Sequence, residues 1–427
     1  MCTGFSLEVL PDEAYASVCG VCCHYRGWLL VIGPQRPITT DAEANDLLST
    51  LVAIPSVAPG VAGGTGEAAM ADTVEAFARA TGAHVTRQKV LPGRENVICS
   101  VGADLSAPCL LLEAHMDTVA LGSMTDGHEP RVDAEARLHG RGACDTKGSL
   151  AAMLLALRWA ACHDDPPGPM TLVAAVDEET GGTGAQALAR SGIRAAGAIV
   201  GEPTSLDVVR VHRGDGHWRI ATFGTAAHSS TPELGDNAIF RMADVLQVIR
   251  EEFDRRLTAR VHPLAGASSF SVNTIDAGTS INVVPDRCEL IMERRRIPGE
   301  SPADVLGELE EVLEIARRRH PGLRVEIVDS VASGEVLDTP EDSPIVEVTR
   351  GAVTDVCGTA RVIGVSYGSD AATLATAGIP SVLCGPGDIA YAHTADEFVP
   401  LTEVVQAAEI YARAWMRFAD VVAASSI

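Results

Sequence analysis

The sequence predicts an α/β protein in which a mostly parallel β-sheet is sandwiched between helices, with a smaller α+β domain inserted in the chain. Two observations predict this class. Short apolar segments alternate with amphipathic helical segments from residue 41 onward, and strand–helix alternation is typical of an α/β sheet. Several predicted strands are also continuous apolar runs such as "LVAAV", as expected for parallel strands that are covered on both faces.

The elements of the first half follow one another in a regular order. Thr40 or Asp41 can cap a helix whose apolar residues recur three to four positions apart, and a second helix is predicted over 67–81. Strands and helices then alternate. The predicted strands are "HVTRQKV", "ENVICSVG", "CLLLEAHMD", "MTLVAAVDEE" and "GAIVGEP", and the predicted helices are "GSLAAMLLALRWAA" and "GAQALARSG".

The pattern changes after "GAIVGEP", which predicts a second structural unit. A strand, a helix over 239–257, two strands, a helix over 301–318 and a strand that ends at Val328 follow a split βαβ order, which predicts a ferredoxin-like α+β domain. The α/β pattern then resumes with helices predicted over 343–356 and 402–417. The predicted organisation is therefore an irregular N-terminal extension (1–40), an α/β domain (41–210 and 329–427) and an inserted α+β domain (211–328).

The charge balance excludes two classes of partner. The 427 residues include 33 Lys or Arg and 57 Asp or Glu, which gives a net charge of −24. An acidic surface repels nucleic acid and anionic membranes, so we expect neither as a partner. No apolar run approaches the roughly 20 residues of a membrane span, and the chain start lacks a basic secretory signal. Scattered cysteines suit a reducing compartment, so the sequence predicts a cytoplasmic protein.

The first 40 residues contain one candidate metal cluster, "CGVCCHY", with three cysteines and His24. It has no second half at the spacing of zinc ligands. We therefore interpret this segment as an irregular extension.

Polar side chains follow the predicted strands at their carboxyl ends, where functional groups gather in a doubly wound sheet. They are His115, Asp117, Asp145, Asp177, Glu178, Glu179, Glu202 and His393. Any one of them alone is explained by solvation, by helix capping or by a satisfied histidine. A set of this composition after successive strands instead predicts a shared metal site.

Two histidines and three carboxylates can hold two zinc ions if one carboxylate bridges the ions. Two divalent ions bring a charge of +4, which three carboxylates and a bridging hydroxide neutralise, as a partly buried cluster requires. Imidazole and carboxylate both suit zinc, and a metal pair lowers the pKa of a shared water to about 7. Cobalt and manganese accept the same donors, so the sequence does not choose between the metals.

One further carboxylate is available for catalysis. Glu178 and Glu179 are neighbours, and in an extended chain their side chains point in opposite directions. One of them can bind a metal while the other acts on the bridging water as a general base. Asp117 lies two residues after His115 on the same strand face, which suits a carboxylate that orients the imidazole ring.

Seven motifs, in order, resemble one known family. They are "EAHMDTVA", "GRGACDTKGSLAAML", "VDEETGG", "GEPTSL", "GTAAHSSTPELGDNAI", "NVVPDRCEL" and "GPGDIAYAHTADEFV". Together they resemble the di-zinc amidohydrolase and exopeptidase family, which includes acetylornithine deacetylase, succinyl-diaminopimelate desuccinylase, aminoacylase and a bacterial glutamate carboxypeptidase. The resemblance extends from about residue 41 to the end and implies a zinc-exopeptidase-like fold.

The resemblance assigns the metal site residue by residue. The implied ligands are His115 and Glu202 on one ion, Glu179 and His393 on the other, and Asp145 as the bridge between the ions. Glu178 is then the general base and Asp117 the orienting carboxylate. The resemblance also implies a cis peptide between Asp145 and Thr146.

The resemblance further implies that the inserted domain is a lid that joins two chains into a homodimer. His228 matches a histidine that reaches the partner subunit's active site and stabilises the oxyanion. Arg295, in "ERRRIPGE", matches an arginine that holds the substrate carboxylate, with Arg294 or Arg296 as the alternative counterpart. Glu293 stands where the family has an aspartate. The implied substrate contacts are Asn282, Arg295 and Gly387.

The predicted function is hydrolysis of the amide bond of a small N-acyl amino acid. "GEPTSL" followed by "VHRG" is most similar to acetylornithine deacetylases, so deacetylation ranks first. A succinyl-diaminopimelate desuccinylase and a metallo-dipeptidase or carboxypeptidase are the alternatives within the family.

Two other classes are weighed against this one. A non-catalytic binding protein on the same fold should have lost a ligand or the base, yet all of them are present. A hydrolase with a serine or cysteine nucleophile would use Ser229 or Ser230 beside His228, or Cys144 beside Asp145. Neither pair has a complete base and orienting group in its sequence context.

Overall fold

The computed structural model describes residues 38–424, apart from residues 103, 106, 164 and 165. The predicted N-terminal extension lies outside the described residues up to residue 37, and so does its cysteine and histidine cluster. The sequence left Thr40 and Asp41 as alternative caps of the first helix, and the structure shows Thr40 as the cap, in a capping box with Glu43. The Thr40 side chain accepts the backbone N–H of Glu43, and the Glu43 carboxylate accepts the N–H of Thr40.

The first half of the chain alternates strands and helices. Its helices are α1 (Asp41–Val52), α2 (Ala68–Ala80), α3 (Gly148–Ala161) and α4 (Thr183–Ala189). Its strands are β1 (His84–Leu91), β2 (Arg94–Val101), β3 (Cys109–His115), β4 (Arg131–Val132), β5 (Arg137–His139), β6 (Met170–Ala175), β7 (Ala195–Val200) and β8 (Val208–His212).

The second half contains longer helices and many short strands. The helices are α5 (Ala238–Leu257), α6 (Pro302–Arg319), α7 (Pro344–Cys357), α8 (Asp370–Thr376) and α9 (Leu401–Ala424). The strands are β9 (His217–Phe223), β10 (Ala227–His228), β11 (Val261–His262), β12 (Gly266–Ala267), β13 (Ser269–Ala277), β14 (Val283–Val284), β15 (Arg287–Arg295), β16 (Arg324–Ala332), β17 (Leu337–Asp338), β18 (Val362–Val365), β19 (Ser381–Leu383) and β20 (Phe398–Pro400). Within the described residues, no helix is long and apolar enough to cross a membrane.

A large sheet forms the centre of the fold. In the described part of the chain it has nine strands in the order β1-β2-β6-β3-β7-β19-β8-β17, with β18 also paired to β8. The central strands β6, β3, β7 and β19 are parallel, while β1, β2 and β17 add antiparallel pairs at the flanks. The prediction of a mixed α/β fold with a central, mostly parallel sheet is therefore confirmed.

Strand β3 is buried along its whole length because helices cover both faces of the sheet. Leu110 and Leu112 belong to the larger core, with residues of α1, α2, α3, α7 and α9. Leu111 points to the opposite face and packs in a second core with residues of α4 and α8. This two-sided burial explains why the segment reads as a continuous apolar run.

A separate four-stranded antiparallel sheet has the order β13-β15-β9-β16. Helices α5 and α6 supply the rest of its core, in which Trp218, Ile220, Leu290 and Phe253 are buried. This unit has the strand and helix order predicted for the inserted domain. Strand β8 of the large sheet and strand β16 cross the predicted boundaries at 210/211 and 328/329, and the division into domains stays a prediction.

Candidate metal centre

The parallel strands bring distant parts of the chain to one edge of the large sheet. His115 at the end of β3 pairs with Ala175 at the end of β6, and Val200 at the end of β7 pairs with both Glu113 and Leu383. The segments that leave these strands carry the predicted acidic residues and His393. Their convergence is a consequence of strand order and register.

Four of the five predicted ligands are in direct contact. Asp145 Oδ1 lies 3.1 Å from His115 Nε2, and Asp145 Oδ2 lies 3.2 Å from His393 Nε2. His393 Nε2 also lies 3.2 Å from Glu179 Oε2. His115 and Asp145 are buried, whereas about half of the His393 side chain (51%) is exposed, so the cluster opens to solvent on that side. The two oxygens of Asp145 thus face two different histidines, as a bridging carboxylate requires.

The loop that carries Asp145 is held by a buried ion pair. Glu397 Oε1 accepts the backbone N–H groups of Cys144 and Asp145 at 3.0 and 3.2 Å. Its second oxygen accepts from Arg141 Nη1 at 2.6 Å. The peptide between Asp145 and Thr146 is cis, as the resemblance implied. Glu397 follows His393 closely in the chain, so one segment supplies a predicted ligand and also supports Asp145.

The segment with Glu178 and Glu179 differs from its prediction. The sequence predicted an extended chain, but β6 ends at Ala175 and residues 178–180 form a turn that follows a positive φ of 70° at Asp177. The Glu179 side chain still reaches the cluster. The turn places these two side chains, so the alternation of an extended strand does not explain their directions.

The role predicted for the Asp117 side chain also needs correction. His115 Nδ1 donates to the backbone carbonyl of Asp117 at 2.9 Å, while the nearest carboxylate oxygen of Asp117 lies 3.7 Å away. The Asp117 carboxylate instead accepts the N–H groups of Glu178 and Glu179 at 3.1 and 3.2 Å. Asp117 therefore orients the imidazole through its main chain and holds the acidic turn through its side chain.

Glu202, the fifth predicted ligand, follows β7 and is buried. Burial, together with the negative charges of Asp145 and Glu178, raises the pKa of Glu202 well above its ordinary value. Burial, opposed by His115 and reinforced by Asp370 and Glu179, raises the pKa of Glu178 in the same way. Glu202 therefore lies within the electrostatic reach of the cluster, although no hydrogen bond or ion pair joins its carboxylate to the other predicted ligands among the described residues.

Two buried acidic residues near the site, Glu113 and Asp370, were not predicted from the sequence. Both carboxylate oxygens of Glu113 and one of Asp370 lack a hydrogen-bond partner among the described residues. Burial, opposed by His115, raises the pKa of Glu113 to about 8. Glu113 stands two residues before His115, so the two-residue period of a strand would have placed it on the same face. Asp370 begins α8 and carried no comparable signal.

The donor set fits divalent cations. The cluster combines two imidazoles with several buried carboxyl groups whose pKa values are raised by burial and by one another. Hydrogen bonds to Asp145 and Glu179 also raise the pKa of His393, to about 10, which favours the charged form of this histidine. Excess negative charge of this kind is relieved by cations, and imidazole and carboxylate are ligands that divalent transition metals accept.

His228 and Asn282 lie next to each other on the smaller unit. Strand β10, which ends at His228, pairs with β14, and the N–H of Ser229 donates to the carbonyl of Asn282 at 3.0 Å. The His228 side chain is exposed, and its Nδ1 lies 2.7 Å from Ser230 Oγ. Within the described residues, no hydrogen bond or ion pair joins His228 to the metal cluster or to an orienting carboxylate, so the serine–histidine pair lacks the third member of a triad.

The three consecutive arginines differ in environment. Arg294 is fully buried and donates to Glu300 Oε1 at 2.8 Å, and Arg296 is buried and donates to the carbonyl of Glu300 at 3.2 Å. Arg295 is partly exposed and pairs with Glu293. Of the three guanidinium groups, Arg295 is the most accessible to a substrate.

Gly387 is buried next to the loop that carries Cys144 and Asp145. Its φ is +91°, and a Cβ at this position would lie 2.7 Å from Cys144 Sγ. Its N–H donates to Glu403, and its carbonyl accepts the N–H of Ser205. The glycine therefore lets the backbone approach the Asp145 loop, while its predicted contact with substrate stays a prediction.

A nucleophilic role for Cys144 has no support in this environment. The side chain is buried, and its Sγ donates to the carbonyl of Asp388. Burial and the charge of Glu397 raise the pKa of the Cys144 thiol well above its ordinary value. A reactive thiolate requires the opposite shift.

A second group of possible metal ligands lies on the smaller unit. Asp215 and Glu293 each lie 3.7 Å from a different ring nitrogen of His217. Arg295 already pairs with Glu293, so a cation there would meet a neighbouring positive charge. We assign no metal to this group.

The large sheet gathers imidazole and carboxylate groups at its strand ends, an arrangement that can hold divalent metal ions. Residues 111–417 match the model of peptidase family M20/M25/M40, and the chain belongs to this family. It is similar to the acetylornithine deacetylase of Myxococcus xanthus, with 32% identity over 361 residues that cover 81% of this chain and 91% of the relative. The acetylornithine deacetylase of Salmonella arizonae is 33% identical over 71% of this chain and 78% of its own length.

Solved structures show the same fold. A tripeptidase from Staphylococcus aureus superposes with a TM-score of 0.74 at 22% identity, over 90% of this chain and all of that chain. The YXEP protein of Bacillus subtilis, described as a dinuclear metal-binding peptidase, has a TM-score of 0.65 at 15% identity, over 91% of this chain and 99% of that chain. The family match and the acetylornithine deacetylase relatives identify a hydrolytic enzyme that acts on amides.

Proposed function

We propose that this chain is a two-metal amidohydrolase. His115 and Glu202 would hold one ion, Glu179 and His393 the other, and Asp145 would bridge them. The observation that carries the proposal is the contact of the two Asp145 oxygens with two different histidines, at 3.1 and 3.2 Å. When bound, the ions supply a shared water of lowered pKa and polarise the substrate carbonyl. Zinc suits these ligands, and cobalt is the alternative.

Glu178 is proposed as the general base. Hydrolysis joins the water oxygen to the amide carbon and breaks the carbon–nitrogen bond. The Glu178 carboxylate takes a proton from the water and delivers it to the leaving nitrogen, so the products are a carboxylic acid and an amine. Support comes from its position in the turn beside Glu179, where the Asp117 carboxylate holds the backbone N–H groups of both residues.

We propose an N-acyl amino acid as the substrate, with an N-acetyl group ranked first. The support is the similarity to acetylornithine deacetylases over most of the chain. Arg295 is proposed to bind the substrate carboxylate, because a planar guanidinium suits that task and because Arg294 and Arg296 are buried in other hydrogen bonds.

The inserted unit is proposed to form a homodimer. Its surface exposes the apolar side chains of Leu234, Phe240, Ile275 and Ile281, which an interface between two chains would cover. His228 is exposed on the same unit and would act on the active site of the partner. Most cysteines of the described residues are buried, which supports the proposal of a reducing, cytoplasmic location.

The substrate proposal is tested with one panel. The purified protein is assayed on N-acetyl amino acids, N-succinyl amino acids and dipeptides, each with a strong chelator and with added zinc or cobalt. We expect turnover of N-acetyl amino acids that the chelator abolishes and the added metal restores. Turnover that resists the chelator would contradict the metal mechanism, and preference for dipeptides would replace the substrate assignment.

The dimer proposal is tested by mixing two inactive variants, Glu178→Gln and His228→Ala. In a mixed dimer, the site with an intact Glu178 receives His228 from the other chain. Recovery of activity on mixing is expected if His228 acts across the interface. No recovery, together with a monomeric mass in sedimentation, would contradict the proposal.

A further inference from the structure

Three consecutive N–H groups at the start of the acidic turn donate to two buried carboxylates. The N–H of Asp177 donates to Glu67 Oε1 at 3.2 Å. The next two, from Glu178 and Glu179, donate to the oxygens of Asp117 at 3.1 and 3.2 Å. The backbone that carries Glu178 and Glu179 is therefore held by side chains from two segments that are distant in the chain.

Arg94 links these parts. Its Nε donates to Glu67 Oε2 at 2.8 Å, its Nη2 contacts Glu67 Oε1, and its Nη1 donates to Asp177 Oδ1 at 2.8 Å. The three side chains are almost completely buried: 11% of Arg94, 1% of Glu67 and 7% of Asp177 is exposed. A guanidinium can span two carboxylates in this way because its donors form a rigid fork.

The turn depends on these contacts. Asp177 has a φ of +70°, a conformation that a residue with a Cβ rarely adopts without support from its surroundings. The hydroxyl groups of Thr180 and Thr183 donate to its carboxylate at 2.6 and 2.7 Å and complete that support. Arg94 donates to the same carboxylate, at the oxygen that also accepts from Thr180.

The two proposed metal positions depend on this network to different degrees. His115 is the last residue of β3 and pairs with β6 in the large sheet, and Glu202 lies two residues after the end of β7. Glu179 is carried by the turn. A change in the network should therefore move Glu179 and Glu178 and leave the other position in place.

We propose that Arg94 is a positioning residue that sets the affinity of the metal position formed by Glu179 and His393, and with it the placement of Glu178. This inference rests on the proposed two-metal function. Arg94 touches neither metal nor substrate, and it acts through Glu67 and Asp177. Glu67 is the second positioning residue of the same network.

The test is a titration of metal-free protein with Co²⁺, followed by calorimetry and by the visible spectrum of the bound ion. Wild type is compared with Arg94→Met and with Arg87→Met. Arg87 is a matched control because its guanidinium also spans two carboxylates, Glu75 and Asp72, but outside the cluster. We expect Arg94→Met to bind the first Co²⁺ as wild type does and the second about 10–100-fold more weakly. Arg87→Met should match wild type at both positions.

Activity supplies a second readout. With saturating metal, Arg94→Met should lower kcat more than it raises KM, and Arg94→Lys should recover part of the loss because an ammonium keeps the charge but not the fork. If Arg94→Met does not fold, Glu67→Gln perturbs the same network and should show the same selective weakening.

Three outcomes would overturn the inference. Wild-type affinity at both positions in Arg94→Met or Glu67→Gln is one, and equal weakening of both positions is another. Binding of fewer than two Co²⁺ by wild type would remove the proposed function itself and the inference with it. If wild type binds two Co²⁺ ions tightly and the variants show either of the first two outcomes, the inference fails but the proposed two-metal function stands.

Discussion

The carboxylate of Asp117 is hydrogen-bonded to the backbone of Glu178: its Oδ1 accepts the Glu178 N–H at 3.1 Å. The second oxygen accepts the N–H of Glu179, and the Asp117 carbonyl accepts from His115 Nδ1. One residue therefore supports both sides of the cluster, through its side chain on one side and its main chain on the other. This division predicts which parts of the site respond to substitution.

Asp117→Asn should lower kcat about 10–100-fold, in the range typical of residues that support metal ligands. An amide offers one oxygen where the carboxylate offers two, so one of the two N–H groups loses its acceptor. The bond between His115 and the carbonyl should persist. Steady-state kinetics with a metal titration checks this.

Asp133→Asn is the control for that substitution. Asp133 Oδ1 also accepts two backbone N–H groups, from Glu135 and Arg137, in a turn that carries none of the predicted site residues. An equal loss of kcat in the control, or full activity in Asp117→Asn, would contradict the role given to Asp117.

Glu178→Gln should lower kcat about 10²–10⁴-fold, as expected when a general base is removed. Glutamine keeps the shape of the side chain but does not take a proton. Metal content should stay at the wild-type value, because Glu178 is not among the proposed ligands. A variant that keeps wild-type kcat would refute the assignment of the base, and a variant that loses metal would make Glu178 a ligand instead.

Gly387→Ala should destabilise the protein more than Gly378→Ala does. Both glycines have a φ near +90°, but only at Gly387 would the new methyl group meet a neighbour, Cys144 Sγ at 2.7 Å. We expect about 1–2 kcal/mol for the backbone conformation alone at Gly378 and a larger loss at Gly387. Urea unfolding measures both. The double variant Gly387→Ala/Cys144→Ala should regain part of the loss, and no recovery would show that the contact with Cys144 is unimportant.

His212, which is not among the proposed metal ligands, should make the free energy of unfolding depend on pH. Its Nδ1–H donates to the carbonyl of Arg213, and its Nε2 accepts from Ser369 Oγ. Burial lowers the pKa of His212 from 6.5 to about 4, so in this window the unfolded chain binds a proton that the folded chain does not. The contribution of His212 to the free energy of unfolding is present above pH 6.5 and is lost as the pH falls towards 4.

The measurement is urea unfolding of metal-free protein at several pH values across that window. His212→Asn does not titrate there, so its stability should fall less steeply on acidification than that of wild type. Carboxyl groups that titrate in this pH range do so in both proteins, so their contributions cancel in the difference between the two free energies of unfolding. Parallel pH profiles would contradict the assignment.

The sheet could be predicted because its signals are local. The apolar run before His115 and the helix cap at Thr40 or Asp41 each act within one element, and the structure contains the strand and a helix capped by Thr40. Parallel strand order then brings His115 and Glu179 to the same edge, so the residue types at the strand ends were sufficient to predict the cluster.

The support of the site could not be predicted in the same way. The turn at Asp177 depends on Glu67 and Arg94, which are 110 and 83 residues away in the chain. The Asp117 carboxylate accepts hydrogen bonds from N–H groups that are available only because this turn forms. Such contacts are properties of the folded chain, and no local spacing encodes them.

The most direct test of the two-metal proposal is a crystal structure of the zinc-loaded protein with anomalous scattering measured at the zinc edge. We expect two peaks about 3.5–4 Å apart. One should lie among His115, Asp145 and Glu202, and the other among Asp145, Glu179 and His393. A single peak at the cluster, or strong density only beside His217, would contradict it.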